Sequence, residues 1–429
     1  MKTIPQSVLD DWFELLRIPS VGADAAHLGD CRACAEWLRA RLERDGFRVE
    51  LAGDGTHPPI VLAERPGDEG RPVVLVYGHY DVQPPDPLEA WITPPFEPTI
   101  AGGRVRARGA NDDKGQSFAL LAGIESLLAE GARLPTIKVV YEGQEESGSA
   151  ALTRMAPLLG DRIRADVLCV CDTDESADGR PAIVAGMRGV SHFTLRLDAG
   201  EYDLHSGTHG GAAPNAAHGM CALLASLHDA DGRIAVAGFE DAVEPPDAAT
   251  LALLAAGTSG GPDALRRAER VGFHPTIEVN GVHSGYGGPG SKTIIPCTAV
   301  AKLSMRLAPG QDPEACCAQV FEHLRSRVPA GMTLAIEEVN PGTPGFRLET
   351  TSPVFERARE LLTRLDPRGP VFVWEGASIP VVSTLARVSG AAPLLVGFGR
   401  EEDRIHAPNE TYGFDQFGRA MEWARLFFG

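Results

Sequence analysis

The chain has 429 residues, of which 43% are hydrophobic and 23% charged, and it carries a formal net charge of −18. At about 150 residues per domain that length requires more than one core, and the balance of residues excludes a disordered chain. The negative charge excludes the clustered-cation chemistry of DNA or RNA binding, and no apolar run approaches the roughly 20 residues needed to span a bilayer.

The opening segment has helical period at Val8, Trp12, Leu15 and Leu16 and lacks a basic stretch followed by an apolar one, so a cytoplasmic protein is expected. Next, Cys31, Cys34, Leu38 and Leu42 fall on one face of a second predicted helix. The eight cysteines are an even number, but disulfide frameworks belong to short secreted chains, and free thiols are expected throughout. Strand signals begin at residues 60–63 and continue at 73–76, 137–141 and 167–171, with predicted helices at 116–128 and 150–159 between them. This alternation predicts an α/β sheet covered on both faces.

The pattern changes near Arg188-Gly189. Residues 190–198 alternate as a half-exposed strand, with Phe193, Leu195 and Leu197 opposite His192, Thr194 and Arg196. A Gly- and Ala-rich helical region follows, then a strand at 300–307, a helix at 313–327 and a strand at 332–339. After Pro341 a helix at 354–365 and a strand at 393–398 restore the α/β character. The expected architecture is an α/β domain with a mixed, largely parallel sheet, formed by residues 1–188 and 343–429. An inserted α+β domain at 189–342 interrupts it.

Several strand signals run into polar clusters. Residues 73–77 lead to Gly78-His79-Tyr80-Asp81, residues 137–141 to Glu142-Gly143-Gln144-Glu145-Glu146, residues 167–171 to Asp172, and residues 394–398 to the loop with His406. Asn111-Asp112-Asp113-Lys114-Gly115 opens a helix. Singly these are common structural features: a hydrogen-bonded histidine, a solvated acidic pair, a helix cap. Recurrence at the carboxyl ends of successive strands, where α/β sheets bind ligands, argues for one site. Two imidazoles with several carboxylates suit zinc, manganese or cobalt, and five ligands exceed what one ion needs. A pair of ions about 3.5–4 Å apart is therefore expected.

The segments Tyr77-Gly78-His79-Tyr80-Asp81-Val82-Gln83-Pro84, Arg108-Gly109-Ala110-Asn111-Asp112-Asp113-Lys114-Gly115, Glu142-Gly143-Gln144-Glu145-Glu146-Ser147-Gly148-Ser149, Asp203-Leu204-His205-Ser206-Gly207 and His406-Ala407-Pro408-Asn409-Glu410 resemble the M20 family of metallopeptidases. Within it they resemble the dipeptidase branch that includes carnosinase-like enzymes. The resemblance implies a dinuclear hydrolase that cleaves the amide bond of a dipeptide or short peptide, with deacylation of N-acyl amino acids as the alternative. It implies that His79, Asp112 and Asp172 hold one ion and Asp112, Glu146 and His406 the other, with Asp174 a lesser candidate for the place of Asp172. Zinc is the first expectation, manganese or cobalt the next. Asp81 would accept the second N–H of His79, and Glu145 would be the general base.

The resemblance also implies that the insertion is a lid and dimerisation domain. Arg306, on the polar face of its strand with Lys302 and Ser304, would clamp the substrate carboxylate, while Thr293 and Ser378 would contact substrate. In a homodimer, His205 would cross the interface and donate to the oxyanion in the neighbouring site. The sequence departs from the branch where Ala377 follows Gly376, in place of a glycine pair.

Two motifs point elsewhere. Gly257-Thr258-Ser259-Gly260-Gly261 fits the serine-hydrolase G-x-S-x-G, yet it follows an Ala- and Leu-rich run that reads as a helix rather than a strand. The G-x-G-x-x-G at 285–290 has no predicted strand before it, which argues against a dinucleotide site.

Overall fold

The computed structural model describes residues 4–376 and 379–429. Among these, nine strands form a mixed sheet in the order Arg48–Ala52, Ile60–Arg65, Ile137–Glu142, Val74–His79, Val167–Val170, Ala392–Leu395, Ala182–Met187 and Phe346–Arg347, with Val371–Glu375 also paired to Ala182–Met187. The pairings from Ile137–Glu142 through Ala392–Leu395 are parallel, as is that of Val371–Glu375, while the first strands, the contact of Ala392–Leu395 with Ala182–Met187 and the Phe346–Arg347 pairing are antiparallel. Parallel strands need crossover helices on both faces. Lys114–Ala129 and Phe414–Phe428 fill one face through Phe118, Leu121, Phe417 and Trp423, and Ala150–Leu159 and Pro380–Ser389 fill the other through Leu152, Ala156, Val382 and Leu385.

A second sheet is antiparallel throughout, in the order Thr276–Ser284, Thr298–Leu307, Gly189–Asp198 and Thr333–Thr343. Its inner face buries Phe193, Leu195, Leu197, Leu303, Met305 and Leu307 against the helices Ala216–Ala225 and Pro313–Arg325, as the alternation predicts. Two more helices from the same stretch, Ala248–Gly257 and Pro262–Phe273, turn back instead. Their Leu254 and Phe273 join the core of the large sheet beside Phe372 and Trp374.

The cysteine reading holds. Cys31 and Cys34 are buried on the helix Leu28–Arg44 with Leu38 and Leu42, and all eight cysteines are free thiols. Burial pushes the Cys31 thiol up to about 12, so it is not a thiolate at neutral pH. One expectation is corrected: the strand Thr276–Ser284 does lead into the glycines at 285–290. No helix follows them, so backbone N–H groups are not gathered for a phosphate. The serine motif lies between two helices, without the strand that its chemistry needs.

Candidate metal centre

His79 is the last residue of the strand Val74–His79, and Asp172 lies two residues beyond the parallel neighbour Val167–Val170. Glu145 and Glu146 stand in the single turn Glu145–Ser147, just after the neighbour on the other side. Asp112 precedes the helix Lys114–Ala129, and His406 sits in a loop with a left-handed backbone, φ 63°. The ends of the parallel strands thus bring separate stretches of sequence to one cleft.

Two groups of candidate ligand atoms gather there: His79, Asp112 and Asp172, and Asp112, Glu146 and His406. Asp112 belongs to both, and its two oxygens face different imidazoles. Oδ1 is 3.2 Å from His79 Nε2, and Oδ2 is 2.8 Å from His406 Nε2. Asp172 Oδ2 lies 3.6 Å from His79 Nε2, and Glu146 Oε2 lies 3.4 Å from His406 Nε2. Asp174 lines the cleft but lies outside both groups.

The donor set fits a pair of divalent cations. His79 Nδ1 donates to the Asp81 carbonyl oxygen at 3.1 Å, so in the neutral ring the lone pair is on Nε2. That buried Nε2 has no hydrogen-bond partner among the described residues, although it points at two carboxylates. A buried atom of this kind needs an explanation, and a cation supplies one.

The charges agree. Burial, followed by the nearby carboxylates, pushes Glu145 up to about 8, and burial and Asp112 push Glu146 up to about 8. The hydrogen bond to Asp112 raises His406 to about 9. For His79, burial disfavours the charged form, but its contacts with Asp112, Asp172 and Asp81 outweigh that and raise the pKa. Carboxylates packed this closely repel one another until cations or protons separate them.

Asp81 does more than was expected of it. Its carbonyl is the near partner of His79, while its carboxylate stands 3.5 Å from Nδ1. The two carboxylate oxygens accept the backbone N–H groups of Glu145 and Glu146, at 3.1 and 3.2 Å. One buried residue therefore holds both the imidazole and the glutamate turn. Asp113 does not cap its helix through its side chain; it accepts instead from His79 N–H at 3.2 Å and Ser117 Oγ at 2.5 Å. Gly78 leaves room for this, because a Cβ there would collide with Ser117 Oγ.

Sequence reasoning missed three neighbours. Gln83 Nε2 donates to Glu146 Oε2 at 2.7 Å, Glu410 is buried under the Asp112 loop, and Glu375 lines the cleft. Gln83 and Glu410 lay inside the quoted motifs, but a sequence does not show what their side chains reach.

Of the expected substrate residues, His205, Thr293 and Arg306 are not among those that line the cleft. His205 is exposed, in a two-residue strand paired with Ile294–Ile295, and Ser206 N–H donates to the Thr293 carbonyl at 3.1 Å. His205 and Thr293 are therefore neighbours. Gly207 N–H donates to His205 Nδ1 at 3.1 Å, which assigns the ring proton to Nε2. Arg306 is half-buried on the face opposite Leu303, Met305 and Leu307, beside Arg188. Ser378 lies outside the described residues.

The family model described as "Peptidase family M20/M25/M40" matches residues 75–428. The chain is 28% identical over 438 residues to the Cys-Gly metallodipeptidase of Schizosaccharomyces pombe, covering 94% of this chain and 91% of that one. It is 28% identical over 424 residues to human Beta-Ala-His dipeptidase, covering 92% of this chain and 81% of that one. Among solved structures, an M20 family metallo-carboxypeptidase from Sulfolobus solfataricus superposes with a TM-score of 0.86 at 29% identity, over 98% of each chain.

Proposed function

The chain belongs to peptidase family M20/M25/M40, and from that membership we propose that it is a two-cation dipeptidase with Glu145 as its general base. The observation that carries this reading is the shared carboxylate of Asp112, whose two oxygens each face one histidine of a separate ligand group. His79, Asp112 and Asp172 would hold one cation and Asp112, Glu146 and His406 the other. Zinc is our first choice for this mixed histidine and carboxylate set, with manganese or cobalt as activators. When bound, the cations supply Lewis-acid polarisation of the amide carbonyl and lower the pKa of water.

The chain's own residues do the rest. Glu145 takes the proton of the attacking water and passes it to the leaving amine nitrogen. Asp81 fixes that carboxylate's backbone and, through its carbonyl, the tautomer of His79. Gln83 orients Glu146.

We assign residues 189–342 to an inserted lid and dimerisation unit, two of whose helices return to the large sheet. In the homodimer, His205 of the partner subunit donates its Nε2–H to the oxyanion, with Thr293, Arg306 and Ser378 completing the substrate contacts. Two features support this: the exposure of His205, and the outer strands Thr276–Ser284 and Thr333–Thr343, which expose Val279, Val282 and Val339. Unpaired sheet edges of this kind favour association. Among the described residues no helix is long and apolar enough to cross a membrane, and a cytoplasmic site of action is part of the proposal.

A second reading, removal of the last residue from longer peptides, is favoured by the likeness to the Sulfolobus carboxypeptidase. Deacylation of N-acyl amino acids is not favoured by the dipeptidase relatives. Protein loaded with zinc, manganese or cobalt and offered dipeptides, longer peptides and N-acyl amino acids separates the three. Hydrolysis of free dipeptides, lost on chelation, is expected. Turnover confined to either other class, or indifferent to chelation, would contradict the proposal.

A further inference from the structure

We propose that Glu410 is a positioning residue that presets Asp112 and His406 as one unit, so that it controls occupancy of both cation sites from outside them. The inference rests on the two-cation reading. Glu410 is completely buried, and its carboxylate collects four donors from the loop that carries Asp112. Oε1 accepts the backbone N–H groups of Asn111 at 2.9 Å and Asp112 at 3.1 Å. Oε2 accepts the backbone N–H of Gly109 at 2.9 Å and Arg108 Nη1 at 2.8 Å. The chain runs antiparallel alongside, with Ala107 N–H donating to the Glu410 carbonyl at 3.2 Å.

Glu410 is also only four residues beyond His406. The segment from Arg404 to Glu410 is conformationally costly: Arg404, His406 and Asn409 have positive φ of 58°, 63° and 67°, a region that L-residues enter only when their surroundings hold them there. Asn409 ties down the end next to Glu410, accepting from Ile92 N–H at 2.7 Å and donating to the Ala90 carbonyl at 2.8 Å. Glu410, the next residue, fastens that same end to the very loop that His406 faces. The 2.8 Å approach of His406 Nε2 to Asp112 Oδ2 is thereby built from two segments that grip each other through one carboxylate.

A purely stabilising role would not need a charge. A buried ion pair such as Arg108–Glu410 contributes little more to stability than a well-packed apolar pair. What an apolar pair lacks is four acceptor positions that fix the backbone on either side of Ala110 and hold the N–H of the bridging residue itself. Glutamine cannot replace it: one end of its amide is a donor, which would face one of the two pairs of N–H donors.

The test uses full-length Glu410→Gln, compared with wild type by calorimetric zinc titration, thermal unfolding of the chelated protein, and kcat and KM for a dipeptide. Because the affected carboxylate is shared, both zinc affinities should fall together, by about 10- to 100-fold as for other residues that orient metal ligands. kcat should fall at limiting zinc, with KM changed less than about threefold, and chelated Glu410→Gln should still unfold cooperatively. Glu410→Asp keeps the charge but is one methylene shorter, and is expected to show the same paired loss to a smaller degree. It serves as the test if the glutamine variant does not fold. Zinc affinities within about twofold of wild type in a folded variant, or weakening of one site alone, overturn the inference. Wild-type protein that binds fewer than two zinc ions overturns the two-cation reading itself, which is a separate result.

Discussion

Loading the centre with cations at pH 7 should expel protons, and the site's own charges set how many. Without cations, Glu145 and Glu146 are pushed up to about 8 and His406 to about 9. A group with a pKa of 8 is about nine-tenths protonated at pH 7, and one with a pKa of 9 almost wholly so, which places about three protons on these residues. Ligands must shed theirs before they bind, and the combined positive charge of two ions acts on Glu145 in the same direction. We expect release of at least about two protons per chain when both sites fill. The assay is calorimetric titration with zinc in buffers of low and high ionisation enthalpy, where the slope of observed heat against buffer enthalpy counts the protons. Release should shrink above pH 9, where the carboxyl groups are already ionised, and Glu146→Gln should remove about one proton from the count at pH 7. A slope near zero at pH 7 would refute the reasoning, because the carboxylates would then carry no protons for the cations to displace.

Arg306→Ala should raise KM at least about tenfold for dipeptides with a free carboxylate, the loss expected for a charge-assisted pair, and leave C-terminal amides unaffected. Equal loss on both substrates would remove the clamp assignment. Mixing Glu145→Ala with His205→Ala chains should restore about a quarter of wild-type activity, since about half the dimers are mixed and each has one complete site. Chains that demonstrably exchange without any recovery would show that His205 does not act in trans. Burial, reinforced by Asp81, raises Glu142 to about 7. An acid whose folded pKa is raised contributes stability that is present below its unfolded value, near 4.5, and lost as the pH rises through about 7. Chelated wild-type protein should therefore lose more of its Tm between pH 5.5 and 8.5 than Glu142→Gln, whose side chain cannot ionise; identical pH profiles would contradict this.

Much of the candidate centre was legible because most of its candidate ligands follow a strand or precede a helix, so a local pattern marks them. His79, Glu146 and Asp172 follow apolar runs, and the family resemblance supplied the division of labour at Asp112. Side-chain reach was not legible. Nothing local shows that Asp81 gives its carbonyl to His79 and its carboxylate to the Glu145–Glu146 backbone, or that Glu410 returns to the Asp112 loop from about 300 residues away in sequence.

In the fold, two strands absent from the sequence reading break alternation. Ala182–Met187 is buried on both faces and has no period of two. Thr276–Ser284 shifts register between Val279 and Gly281, so its side chains change faces midway. The helix Ala248–Gly257 is apolar nearly all round, so its pattern names no partner, and only the structure shows it packed on the strand Val371–Glu375.

The central claim is that Glu145 moves the proton at a centre whose cations are held by other residues. Glu145→Gln tests it most directly, with bound metal and kcat for a dipeptide measured on the same preparation. The account predicts two cations per chain, an unchanged Tm and a kcat lower by about 10²–10⁴. A variant that holds two cations and hydrolyses the dipeptide at the wild-type rate would contradict it.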